Sequence, residues 1–400
     1  MQEFRQKRFL IRDSIDELQD GGKMSGTKQT KRIPQLEGLR FIMCCMIILS
    51  HFEFLSNSKI VGGGYTKYFH NATMAVDYFF MLSGFGICLS QKRPERSFKS
   101  KIEFGKNKIK KIYPAYIVSL VVMLPCTYFG LRPYGSVINA GLKSLMLLGV
   151  DLSLLQSVTG MTFFSHSLNG VCWFLSCIFV CYIVMAFVIK KIDNIQSNRE
   201  AGLCLLISII IVLLLSFVAF KIEQMNLSEG KINDLWYGHP AIRWWYLLIG
   251  AILGTLYKKT DMEFGTLTEV GITAVACVYF ILRNTLLEIM NQNFLRFFDL
   301  LLCSIVLFGF SKGTGFISQA LSNNRMLWLS RTTMYLYLFH YPVRALVDNF
   351  FVEINAISTL GEVVFIFECF LIIAITSCVV CLYMNICNLK SCFVAKEDNK

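Results

Sequence analysis

Arg40 and His51 stand near the two ends of LEGLRFIMCCMIILSHF, with ten uncharged residues between them. On a helix, eleven steps of 100° return to within about 20° of the starting direction and climb about 16 Å, so both side chains share one stripe at two depths. A guanidinium binds anions, and an imidazole takes or gives a proton near neutral pH. Ionisable groups within an apolar segment are costly, and by default they face a bundle interior and act there. Taken singly, each also has a plainer reading, Arg40 as a cytoplasmic anchor and His51 as an interfacial residue.

Other residues extend this pattern. Asp77 lies near the start of the next apolar run, NATMAVDYFFMLSGFGICLS, which returns through the same depth as His51. A carboxylate there either orients an imidazole, as in a catalytic triad, or is a helix N-terminal charge favoured by the dipole. Lys108 and Lys111 close a basic stretch from Gln91 to Lys111. With Arg40 they form either a phosphate clamp or a set of topology anchors touching lipid headgroups. His340 sits about nine residues into a late apolar run with Pro342 just beyond, as a second polar wall or a satisfied buried histidine. Ser83 and Gly84 read as packing residues where helices approach closely, and Trp173 as a cavity wall or an interfacial belt residue.

The elements that must position these groups are membrane helices. The chain is 54% hydrophobic and only 16% charged, has 34 Phe among 400 residues, and has a mean hydropathy of +0.53. Soluble domains do not have this composition. The fold class is therefore an all-α, polytopic transmembrane helix bundle. With a crossing length of about 20 residues, about ten spans are expected. They start at Arg32, Asn71, Ile112, Trp173, Leu203, Ala241, Val270, Phe297, Thr332 and Val363, and the polar stretch with Gly62 to Gly64 is a loop after the first. Residues 134–156, with Lys143 and Asp151, read as an interfacial or re-entrant helix. Residues 1–36 lack the apolar core of a signal peptide, so the first span stays in the chain. The domain reading is a cytoplasmic tail at 1–32, a membrane domain at 33–388 and a cytoplasmic tail at 389–400.

With both termini inside, most of the 39 Lys and Arg fall on the cytoplasmic side, as the positive-inside rule requires. Topology and anionic lipid thus account for the net charge of +12, and no nucleic-acid partner is expected. The fifteen cysteines are odd in number and scattered through apolar runs, where Cys behaves as a small hydrophobe. A lone CxxC at Cys378 and Cys381 has no second pair, and no metal is expected.

Four motifs resemble the acyltransferase-3 family of integral membrane acyltransferases. They are LEGLRFIMCCMIILSHF, VDYFFMLSGFGI around Asp77, KNKIKKIYPAY with Lys108 and Lys111, and LSRTTMYLYLFHYP with His340, in the family's order. There are departures. Lys108 and Lys111 stand where many members carry arginines, which keeps the charge and loses the bidentate fork. The Trp173 span lacks the acidic pair of some relatives, and His166 lies too far before Trp173 to take a role by resemblance.

The resemblance implies a membrane O-acyltransferase that moves an acyl group, foremost acetyl from acetyl-CoA, to a glycan or polysaccharide hydroxyl of the cell envelope. His51, Asp77 and His340 would be catalytic, and Arg40, Lys108 and Lys111 would hold the acyl-CoA donor. Its setting would be the lipid bilayer of the cell membrane. Two other readings are a non-catalytic transporter of polysaccharide or lipid intermediates and an N-acyltransferase acting on an amino sugar.

Overall fold

The computed structural model describes residues 33–52, 62–69, 72–225, 231–355, 367 and 370–385. Both expected tails, 1–32 and 389–400, lie outside the described residues. Among the described residues there is no β-strand, and the chain is an all-α bundle.

Pro34–Ser50 (α1) opens the bundle, with Pro34 in the first turn, where its missing N–H is not needed. Gly62–Tyr68 (α2) is a short helix where a loop is expected. Thr73–Leu89 (α3), Phe98–Ile109 (α4), Tyr113–Leu131 (α5), Val137–Leu152 (α6), Thr162–Ser165 (α7) and Trp173–Asp193 (α8) follow. Next come Asn198–Gln224 (α9), Lys231–Gly238 (α10), Pro240–Lys259 (α11), Thr266–Ile289 (α12), Gln292–Ser311 (α13) and Phe316–Leu321 (α14). Asn324–Asn355 (α15) and Phe370–Asn385 (α16) complete the set. Ser97, Ser136 and Ser197 cap α4, α6 and α9, each accepting from a backbone N–H three residues on.

Six of these helices, by length and composition, can cross a membrane: the one ending at Leu89, and α5, α8, α9, α12 and α13. The other expected crossings also fall on helices. Those are short, as α1 with 17 residues, or interrupted by charge, as α11 by Arg243 and α15 by Arg331 and Arg344. The helix expected near 134–156 is α6, whose Val137, Ile138, Leu142 and Leu145 form an exposed apolar face suited to an interface.

The centre of the bundle is the crossing of α3 and α11. A Cβ on Gly84 would lie 1.8 Å from the Leu247 carbonyl oxygen, and one on Gly250 would lie 1.9 Å from that of Met81. Only glycine allows these backbones to meet, which is how helices gain dispersion contact in lipid, where the hydrophobic effect gives no drive.

Helices α1 and α15 pack in parallel register. Arg40 Nη2 donates to the Ser330 carbonyl at 2.6 Å, and Cys44 Sγ to that of Thr333 at 3.4 Å, with near-constant offsets of 290 and 289 residues. The same register, carried about two turns further, sets His51 beside His340.

Candidate active site

His51 is the C-cap of α1, and its Nδ1 lies 2.7 Å from the Ile47 carbonyl. A carbonyl only accepts, so Nδ1 carries the proton and the lone pair of the neutral ring is on Nε2. His340 repeats the arrangement on α15, with Nδ1 at 3.1 Å from the Leu336 carbonyl. The two rings meet edge to face with centroids 5.2 Å apart, and Tyr341 adds a second edge contact to His51 at 6.1 Å. His340 is fully buried, and its Nε2 has no hydrogen-bond partner among the described residues.

His51 opens onto a cavity of about 390 Å³, lined also by His166, Trp173, Tyr237, Tyr337 and Arg344. The wall between residues 166 and 172 is clamped to α15. Asn169 Nδ2 donates to the Leu338 carbonyl at 3.0 Å and to Ser119 Oγ at 3.2 Å, and the Tyr337 hydroxyl donates to the Val171 carbonyl. Ser167 Oγ donates to both carboxylate oxygens of buried Asp151, at 2.9 and 3.0 Å. His166 Nδ1 lies 2.9 Å from Ser165 Oγ. The SHS turn thus carries His166 into the cavity although its spacing to Trp173 suggested no role. Trp173 is a cavity wall, 4.9 Å from the ring of Tyr237.

Asp77 forms a buried ion pair with Arg243 on α11, and the ring of His51 is oriented by the Ile47 carbonyl, to which its Nδ1–H donates. The physical reason is the α3–α11 crossing, which sets Asp77 facing a guanidinium. A buried carboxylate without such a partner would be strongly unfavourable. Arg243 passes the connection on by donating Nε to the carbonyl of cavity-lining Tyr237. Asp77 therefore reaches the cavity through Arg243 and Tyr237.

Beside this pair lies a second one that sequence reasoning missed. Arg283 on α12 pairs with Asp299 on α13 at 2.7 Å and also donates to Thr73 Oγ1 at 2.6 Å. Arg296, one turn before Asp299, is buried with its guanidinium carbon 5.0 Å from the centre of the Tyr237 ring. The signal was present in FLRFFDLLLCSIVLFGF, where isolated Arg and Asp interrupt an apolar run. Arg283 lies inside α12.

The cations at the other end are less closely joined. Arg40 forms an ion pair with Glu37 at 2.9 Å besides its bond to Ser330, so it links α1 to α15. Lys108 and Lys111 are exposed around the junction of α4 and α5; α4 packs on α8, and α5 packs on α15. The ammonium of Lys108 rests 5.2 Å from the Phe104 ring centre. Its partial loss of hydration, with repulsion from Arg93 and Lys92, holds its pKa below the ordinary lysine value. Among the described residues, no group of three His, Cys, Asp or Glu is placed to hold a metal ion.

The described residues thus form a helical membrane bundle in which the imidazoles of His51 and His166 face one cavity. The family model described as "Acyltransferase domain" matches residues 33–384, and the chain belongs to that family, the acyltransferase-3 proteins. It is a membrane acyltransferase. No curated protein and no solved structure matches the chain.

Proposed function

We propose that this acyltransferase takes an acyl group, acetyl in the first instance, from cytoplasmic acyl-CoA and places it on a hydroxyl of a cell-envelope or exported glycan. The observation that carries this reading is His51, held by its Nδ1 proton and by the edge of His340, with Nε2 left as the basic nitrogen at a cavity. An imidazole so placed is a general base for attack by a hydroxyl.

In the reaction, His51 Nε2 accepts the proton of the acceptor hydroxyl as its oxygen bonds to the thioester carbonyl. The carbonyl electron pair moves to oxygen, giving a tetrahedral intermediate. That intermediate collapses by breaking the C–S bond, and the departing thiolate takes the proton from the imidazolium. His340 keeps the ring aligned.

The basic end of the bundle, with Arg40, Lys108 and Lys111, faces the cytoplasm in this reading, where it meets the donor's phosphates. Both termini are then cytoplasmic and the protein is a multi-pass protein of the cell membrane. The roughly 16 Å rise from Arg40 to His51 is similar to the reach of the arm that joins the phosphates of CoA to its thioester.

The test is transfer of label from radiolabelled acetyl-CoA to glycan in membranes with and without the protein. Label on glycan only when the protein is present is the expected result. Equal labelling in both would remove the proposed donor and acceptor.

A further inference from the structure

Tyr237 joins the cavity to the buried charges behind it. The guanidinium carbons of Arg243 and Arg296 lie 4.7 and 5.0 Å from the centre of its ring, within the range of cation–π attraction. Asp77 pairs with Arg243 and Asp299 with Arg283, but the only hydrogen bond of the Arg296 side chain to a described residue is a long one to Asn293 Oδ1, at 3.5 Å. Its Nε has no partner among the described residues. These three buried arginines face two buried aspartates, so the cluster holds one cation in excess.

An uncompensated buried cation is expensive to keep, and its field favours negative charge nearby. Three tyrosines line the cavity; Tyr337 donates its hydroxyl to the Val171 carbonyl, and Tyr341 sets its ring against His51. Tyr237 lines the cavity and also touches the arginines.

We propose that Tyr237 is a further catalytic residue, whose hydroxyl donates a hydrogen bond to the acyl carbonyl oxygen as that oxygen becomes negative, with Arg243 and Arg296 strengthening the donation through the ring. The proton stays on Tyr237 throughout; the bonds made and broken are those of the transfer above, and the inference rests on that reading. Burial raises the Tyr237 pKa above its usual value near 10, although Arg243 acts to lower it, so the group is a neutral donor at physiological pH. Asp77 and Arg243 act as positioning residues that hold Tyr237 by its backbone.

The experiment uses the full chain in membranes, with radiolabelled acetyl-CoA as donor and the membranes' own glycan as acceptor. Tyr237→Phe keeps the ring between the arginines and Trp173 and removes only the donor. Losing one oxyanion donor typically lowers kcat about 10²- to 10³-fold, and the KM for acetyl-CoA should stay within roughly twofold. Arg296→Met should also lower kcat, but add little in the Tyr237→Phe background, because both act through one hydroxyl. A merely structural Arg296 would give additive losses. Wild-type kcat in Tyr237→Phe, or additivity in the double variant at normal yield, would overturn the proposal and leave the acyl transfer itself standing. Wild-type membranes that transfer no label would overturn both.

Discussion

The rings of His51 and His340 meet edge to face at 5.2 Å, with planes inclined by 60°, although they come from the first and the penultimate helices described. Each gives its Nδ1 proton to the carbonyl one turn earlier on its own helix. The helices therefore orient both imidazoles, a task that catalytic triads assign to a carboxylate.

His340→Ala should lower kcat about 10²-fold with little change in KM, since it removes the edge that aligns His51 and touches neither substrate. His340→Asn, which can still donate to the Leu336 carbonyl, should recover part of the loss. Steady-state kinetics of both variants in membranes check this. A fall in KM-linked affinity without a fall in kcat would contradict a positioning role.

Arg40→Lys should weaken acyl-CoA affinity, because a point charge cannot reproduce the planar fork on phosphate. It should also loosen α1 from α15, as a hydrogen bond from a charged donor is worth about 1.5–3 kcal/mol. Binding of acyl-CoA and thermal unfolding of the purified variant separate the two effects, with an accessible N-terminal tag to verify orientation. Reduced stability with unchanged affinity would make Arg40 a helix tie and leave Lys108 and Lys111 to hold the donor.

Lys108 has a depressed pKa, so it loses its proton at a lower pH than an ordinary lysine near 10.5. If it binds donor phosphate, acyl-CoA affinity declines as pH rises through that lowered value. Lys108→Gln should bind more weakly at neutral pH and lose this alkaline decline. An unchanged alkaline limb in the variant would assign the titration to another group.

Gly84→Val or Gly250→Val should prevent the α3–α11 crossing from closing, since even a Cβ would overlap a facing carbonyl. Overpacking typically costs about 1–3 kcal/mol, and more where backbone must move. The readout is the yield of monodisperse protein and its unfolding temperature. Wild-type values for both variants would show that the crossing is looser than described.

Much of this was legible from spacing. The apolar runs located the helices, and the shared stripe of Arg40 and His51 singled out α1 as the helix that carries the proposed base. His340 was marked by its place in an apolar run, but its contact with His51 depends on the parallel register of α1 and α15, which no local pattern encodes. Asp77 was noted as an acid at the start of its span, but its ion pair with Arg243 was not legible, because the two residues are distant in sequence. Arg283, Arg296 and Asp299 were missed for another reason. Apolar length was allowed to outweigh single charges inside α12 and α13, although buried ionisable residues in such helices are the ones that need a partner.

The most direct test of the account is acyl transfer by His51→Ala, measured as radiolabel passed from acetyl-CoA to glycan in membranes holding equal amounts of variant and wild type. Loss of a general base lowers rates about 10²- to 10⁴-fold, so transfer should fall to near background while insertion is normal. Transfer above half the wild-type rate would contradict His51 as the base.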